Sequence, residues 1–166
     1  EYLTPALAQE VAQTIQKENT KDGYFLNRST VFLGRHMKHS GIASEQCLRL
    51  VKTQNAKYTG GRVHETLEVK GTKGSLNNIF MHNTYTNIQQ YFDKFNRYTS
   101  LAALTMSESG KKFNPVQLLR QPFEFIKIYI LKLGFLDGLQ GFLWAFFSSF
   151  YPVVKYAKLW DINRKK

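Results

Sequence analysis

Apolar positions follow two different periods along the chain. Thr4-Pro5 opens the first amphipathic segment, threonine suiting an N-cap and proline the first helical turn. Leu7, Val11 and Ile15 then recur at four-residue steps, which predicts a helix that ends in the polar run Lys17 to Gly23. Tyr24 to Leu33 is dense in aromatic and branched residues and reads as extended, with a break predicted at Asn27-Arg28-Ser29. Gly34 to Ser44 reads as loop and Leu48 to Val51 as a short strand. Val63 to Lys70 reads as another strand, bounded by Gly60-Gly61 and by the turn Gly71-Thr72-Lys73-Gly74.

After His82 the helical period takes over. Thr86 with Gln89 predicts a capping box, and Ile88, Tyr91, Phe92, Phe95, Tyr98, Leu101 and Ala102 follow at three- and four-residue steps. Gly110-Lys111-Lys112 ends that helix and Pro115 opens the next. Leu133 to Gly138 is a glycine-punctuated turn, and a last helix is predicted over 139–160, bent at Pro152. Strands first and helices afterwards predict one α/β or α+β unit, residues 1–110, with a helical C-terminal extension, residues 111–166.

Composition narrows the picture. A length of 166 residues with 43% hydrophobic content supports one domain with a real core and excludes extensive disorder. The single cysteine, Cys47, excludes an intramolecular disulfide framework and a multi-cysteine zinc site, and fits a reducing compartment. No signal-peptide pattern opens the sequence, and its first residue is Glu1, so it reads as a fragment or a processed product. From Lys111 onward ten basic residues stand against three acidic ones, so about +7 of the formal +11 lies in the last third. The charge alone is compatible with nucleic acid, but no recognised nucleic-acid motif accompanies it. Long apolar runs interleave with these cations instead, which points to an anionic membrane surface. Asp137 and Lys155 bracket a stretch without charges that is rich in Phe and Trp. A spanning helix needs about 20 predominantly apolar residues, and this stretch is shorter and contains Gln140, Gly141 and Pro152. It is expected to lie in the plane of the membrane surface; the alternative is the packing face of a helical subdomain.

Three polar groups are candidates for chemistry. In His64-Glu65 the two side chains point to opposite faces of a strand, so one of them can enter a site. Glu65 at a cleft mouth could act as a general base, or both could be solvated. His82, between an apolar run and a helix cap, could ligate a divalent metal with partners from elsewhere, or cap the helix. Lys94, Arg97 and Tyr98 share a helix on which the two cations lie nearly on one face; they could hold phosphate oxygens, or form an ordinary basic face.

Taken in order, "RSTVFLGRHMKHSG", "LRLVK", "GGRVHE", "GSLNNIFMHNTY", "YFDKFNRYTSLAA", "GKK" and "FLDGLQGFLWAFFSSFYPVVKYAKLW" resemble the C-terminal half of family 2 glycosyltransferases. The group they most resemble is that of the lipopolysaccharide-core β-1,4-glucosyltransferases. The resemblance implies the C-terminal part of a GT-A fold, an α/β nucleotide-diphospho-sugar transferase, and it implies that Glu1 closes an Asp-x-Asp-Glu motif whose aspartates precede this sequence. It also implies an inverting transfer from a nucleotide-diphospho-sugar donor to a lipid-linked or saccharide acceptor of the cell envelope. Glu65 would be the base on the acceptor hydroxyl, and His82 would complete the coordination of Mg2+ or Mn2+. Arg49, His64, Lys94, Arg97 and Tyr98 would contact substrate. A peripheral location at the cytoplasmic, inner face of the cell membrane follows from the same resemblance. The rival expectations are a non-catalytic membrane- or glycolipid-binding module and a nucleic-acid-binding domain.

Overall fold

The computed structural model describes residues 1–60 and 65–165, the side chain of Glu65 excepted. Along the chain the elements are β1 (Tyr2–Leu3), α1 (Pro5–Ile15), β2 (Gly23–Phe32), β3 (Arg35–His36), β4 (Ser44–Val51), β5 (Ala56–Gly60), β6 (Glu65–Val69), β7 (Lys73–Tyr85), α2 (Ile88–Glu108), α3 (Arg120–Ile126), α4 (Gly138–Ser149) and α5 (Tyr151–Asn163). This is a mixed α/β fold, with a central sheet followed by C-terminal helices. It divides into two compact units: Glu1–Val31 with Ser44–Thr84, and Phe32–Ala43 with the chain from Tyr85 onward.

In the first unit the Thr4 cap forms as its sequence predicts. Its hydroxyl accepts from the Leu7 N–H at 3.3 Å, satisfying a donor that the helix itself cannot. The same hydroxyl donates to the Ile79 carbonyl at 2.7 Å, tying α1 to β7. Strands β1, β7, β2 and β4 lie side by side in that order. β1 runs antiparallel to β7, with Tyr2 opposite Met81 and Leu3 opposite Phe80. β4 runs antiparallel to β2 from Gly23↔Val51 to Ser29↔Ser44. The expected break at Asn27-Arg28-Ser29 is absent, because these polar residues pair across the ladder with Gln46, Glu45 and Ser44. Asn27 also donates its amide to the Leu76 carbonyl at 3.1 Å. Leu7, Leu26, Leu76 and Phe80 form the buried core, with Val11, Tyr24, Cys47 and Leu50 packed against it. Each such side chain contributes about 1.5–3 kcal/mol by leaving water.

The glycine turn after β6 is fixed by Asp22. Its carboxylate accepts from the Thr72 N–H at 2.8 Å, the Thr72 hydroxyl at 3.1 Å and the Asn55 amide at 2.7 Å. These hydrogen bonds, the Thr72 N–H first, hold the Asp22 pKa below its usual range. Gly71 has φ +109° and no room for a Cβ beside that carboxylate, so only glycine suits the position. β5 and β6 form a separate two-stranded ribbon.

In the second unit α2 begins one residue later than the sequence predicts. Asn87 is the N-cap, accepting from the Gln90 N–H at 2.8 Å, while Gln90 reaches back to the Thr86 N–H at 3.1 Å. Asparagine outranks threonine as a cap, and the reciprocal pattern shifts with it. The buried positions of α2 are Tyr91, Thr99, Ala103 and Ser107, a mostly small-residue stripe, whereas Phe92 and Tyr98 of the predicted apolar face are exposed. The small residues admit α5, whose Lys158 ammonium donates to the Asn96 carbonyl at 2.9 Å, Thr99 Oγ1 at 2.8 Å and Ser100 Oγ at 2.8 Å. Burial lowers the Lys158 pKa. Phe32, Met37 and Tyr91 form this unit's core, with Trp144, Phe147 and Tyr85 packed against them. Burial there pushes the Tyr91 phenol up to about 12.

The turn before α4 is held by Asp137, only 1% exposed. Its carboxylate accepts from the backbone N–H groups of Lys38 and His39, each at 3.0 Å, and from the Ser40 hydroxyl at 3.0 Å. Burial alone would raise the Asp137 pKa, but these donors outweigh it and the carboxyl titrates below its usual value. The last helix is two helices, α4 and α5, separated at Phe150. Proline at the start of α5 ends α4 instead of bending one long helix, since its ring and missing N–H suit only a first turn. Among the described residues no single helix is long and apolar enough to cross a membrane, but Pro115–Leu131 and Gly134–Asn163 pass that test together, bent by 71°.

Candidate functional site

Two of the site residues expected from sequence meet in the first unit, and they meet at Glu1. Glu1 Oε1 lies 3.3 Å from His82 Nδ1 and 3.6 Å from Arg49 Nη2. The antiparallel register of β1 and β7 brings the first pair together, since Tyr2 opposite Met81 sets Glu1 beside His82. His82 follows Leu76, Asn78 and Phe80 on one face of β7 by strand alternation. Leu76 and Phe80 anchor that face in the core, and His82 continues it to where the cluster opens.

Arg49 arrives by a different device. Along β4, Tyr24 pairs with Leu50 and Phe25 with Leu48, so Arg49 is the extra residue of a β-bulge. A bulge interrupts the alternation of the strand and re-aims the extra side chain, here toward Glu1. A cavity of about 210 Å³ adjoins the cluster, lined by Glu1, Tyr2, Leu3, Leu26, Arg49 and Phe80. Ion pairs this exposed contribute roughly 0–1 kcal/mol to stability, so the arrangement matters as charge placement: a carboxylate, an imidazole and a guanidinium brought together from three segments of the chain.

The donor set of Glu1 and His82 is oxygen plus imidazole nitrogen, which suits Mn2+ and, through the carboxylate, Mg2+. Two protein donors are fewer than such an ion requires, and among the described residues no group of three His, Cys, Asp or Glu side chains is placed to hold a metal. Arg49 beside the same carboxylate adds a donor fork able to grip phosphate or carboxylate oxygens.

Glu65 opens β6, its backbone opposite Gly60 at the end of the β5–β6 ribbon. Its side chain lies outside what is described, and His64 lies outside the described residues altogether. Lys94, Arg97 and Tyr98 sit on α2 in the second unit. The Lys94 ammonium rests over the Tyr85 ring, 4.9 Å from its centroid. Arg97 is exposed one turn further on. Tyr98, 46% exposed, lines a cavity of about 450 Å³ that also includes Tyr85, Trp144, Arg120 and Lys155. Sequence reasoning singled out neither Arg120 nor Lys155 as a site residue; a single cation one turn from an aromatic is too common a pattern to mark a cavity.

No family model matches the chain, and no solved structure matches it. Among curated proteins it is similar to an uncharacterized glycosyltransferase of Rickettsia typhi, 31% identical over 91 residues that cover 54% of this chain and 31% of that protein. An uncharacterized glycosyltransferase of Rickettsia prowazekii matches with the same identity and coverage. The lipopolysaccharide core biosynthesis glycosyltransferase LpsC of Rhizobium meliloti is 23% identical over 169 residues, covering 100% of this chain and 63% of that protein. The similarity is distant and glycosyltransferase in character, and the chain spans under two thirds of each of these three relatives.

Proposed function

We propose that this chain is the acceptor-side part of an inverting, family 2 glycosyltransferase with a GT-A fold, acting on a lipid-linked or saccharide acceptor in cell-envelope glycan synthesis. The observation that carries the reading is the bulge at Arg49, which turns a guanidinium onto the Glu1–His82 pair. The similarity of the whole of this chain to part of a lipopolysaccharide-core glycosyltransferase supports it.

In this reading Glu65 removes the proton from the acceptor hydroxyl, which attacks the anomeric carbon as the nucleoside diphosphate leaves. Glu65 opens β6 of the two-stranded ribbon, its backbone paired with Gly60. A divalent ion, Mg2+ or Mn2+, supplies charge neutralisation for the departing diphosphate when bound. His82 would contribute one ligand to it, together with carboxylates from residues preceding Glu1. By the β1–β7 register those residues would run alongside Asn83 and Thr84. Arg49 sits where its fork can meet phosphate or acceptor oxygens, and His64 orients Glu65 or faces solvent. Lys94, Arg97 and Tyr98 are assigned to substrate contacts on α2. The boundary between an acceptor-side domain, residues 1–110, and a membrane-associating extension, residues 111–166, belongs to the same proposal.

Peripheral binding at the inner face of an anionic membrane accompanies the reading. Leu119, Phe123 and Leu131 are exposed by 66%, 72% and 73% on the first arm of the bent helical pair, beside a surplus of lysine and arginine. That combination favours an in-plane amphipathic surface.

The reading frame preceding Glu1 tests the assignment: Asp-x-Asp immediately upstream is expected, and an initiating codon directly before Glu1 would count heavily against it. On the longer protein, transfer from a panel of UDP-sugars to extracted membrane glycolipid is expected to require Mn2+ or Mg2+. Transfer undiminished in chelator would remove His82 from the scheme.

A further inference from the structure

The second unit contains a cavity of which the transferase reading uses only Tyr98. Its volume is about 450 Å³, and α2, α3, α4 and α5 all contribute to its lining. Tyr98, Trp144 and Tyr151 give it aromatic walls, and Arg120, Lys155 and Ser148 bring cations and a hydroxyl to the same space. Glu124 is the one acidic side chain in the lining, and it is already engaged: Arg120 donates to one of its oxygens at 3.1 Å and Lys127 to the other at 3.3 Å.

Lys155 is left differently. Among the described residues it forms no ion pair, and its ammonium sits over the rings of Tyr151 and Tyr156 at 5.6 and 5.5 Å. It is half-buried, and the charged neighbours that act on it, Arg120 and Lys111, are both cations. Burial first, and then those two charges, hold its pKa below the usual lysine value. A partly desolvated ammonium facing like charges is an unfavourable arrangement that an anion would relieve.

Helix α3 adds the second half of the argument. Arg120 and Glu124, four residues apart, share the face that enters the cavity. Leu119, the residue just before α3, and Phe123 and Ile126 on the neighbouring face of the helix are 66%, 72% and 50% exposed. A charged group seated at Lys155 and Arg120 would therefore have an apolar strip of α3 next to it.

We propose that this cavity is a binding site for a phosphate ester, with Lys155 and Arg120 holding the phosphate oxygens and Tyr98, Trp144 and Tyr151 packing the body of the ligand. The site is defined within the helical unit alone and does not rest on the transferase reading; its test involves no sugar transfer. Two sources carry this chemistry, the headgroup of an anionic phospholipid and a soluble sugar phosphate.

The experiment uses the whole chain carrying Trp160→Phe, which leaves Trp144 as the only tryptophan. Its fluorescence is titrated with dihexanoyl phosphatidic acid below the micellar concentration, with glucose 1-phosphate, and with dihexanoyl phosphatidylcholine. Saturable change with a phosphate monoester is expected, weakened by about tenfold or more in Lys155→Met and largely retained in Lys155→Arg, as the loss of a charge-assisted hydrogen bond requires. Tighter binding of phosphatidic acid assigns the site to lipid, and tighter binding of glucose 1-phosphate assigns it to a sugar ester. Should Lys155→Met fail to fold, Arg120→Gln carries the same expectation. The proposal is overturned if no monoester perturbs Trp144, if phosphatidylcholine binds as well as phosphatidic acid, or if removing the cation leaves the affinity unchanged.

Discussion

Asp137→Asn is the substitution whose consequence the structure defines most closely. The change keeps the shape of the side chain and removes its charge. In the native protein the carboxylate accepts from two backbone N–H groups and the Ser40 hydroxyl at 3.0 Å, and lies 3.4 Å from His39 Nδ1. An amide offers one acceptor oxygen in place of two, and its NH2 group turns toward the remaining donors. At least one buried N–H or hydroxyl is then left without an acceptor, costing about 1–3 kcal/mol, and the surviving bonds lose their charge assistance. Taken together and discounted for non-additivity, the expected loss is about 3 kcal/mol, a large share of the roughly 5–15 kcal/mol that stabilises a typical domain. Urea unfolding followed by circular dichroism measures it, as a lower midpoint with an unchanged slope. The pH dependence has a definite sign. Asp137 has a folded pKa depressed below its ordinary value of 3.8, so its contribution is fully present well above pH 3.8. It is lost as pH falls through the folded value, and variant and wild type should converge there. A variant within about 0.5 kcal/mol of wild type at pH 7 would refute the assignment of Asp137 as the tie between residues 38–40 and the turn before α4.

Three further outcomes follow from the helical unit. Lys158→Met strips Asn96, Thr99 and Ser100 of a shared donor and is expected to cost about 2 kcal/mol, read as a lowered melting temperature. Gly141→Ala drives a methyl into the Gly134 carbonyl where α4 meets the preceding turn, and is expected to cost about 1–3 kcal/mol or more in the same measurement. Replacing exposed Leu119 and Phe123 together by serine is expected to weaken flotation with phosphatidylglycerol vesicles by about tenfold or more, and raising salt should weaken wild-type binding as well. Unchanged flotation would turn that apolar strip into an ordinary exposed surface.

Local signals in the sequence proved legible where the chemistry is local. The Thr4-Pro5 cap, the Gly71 turn and the end of α2 near Gly110 each rest on residues a few positions apart. Errors arose where a distant partner decides. Asn27 to Ser29 looked like a break because their ladder and side-chain partners lie on β4 and β7. The aromatic face expected on α2 holds at Tyr91 and Phe95 but gives way further along to Thr99, Ala103 and Ser107, since close approach of α5 requires small residues rather than large ones. At the candidate site, His82 was named from its surroundings in sequence and Arg49 from the family resemblance. Their meeting at Glu1 depends on strand register and on a bulge, and neither has a signature in one strand alone. Lys155 and Arg120 escaped notice because a cation among aromatics also describes a lysine lying on a helix surface.

The proposed transfer chemistry stands most directly on Glu65. In a chain that carries the proposed donor-side half before Glu1, Glu65→Gln should lower the rate of sugar transfer by about 10²–10⁴-fold, the usual contribution of a general base. Binding of UDP, followed by calorimetry in the presence of Mn2+, should be unchanged within about twofold, because glutamine keeps the size of the side chain and removes only its basicity. Sugar transfer at the wild-type rate by Glu65→Gln would contradict the account.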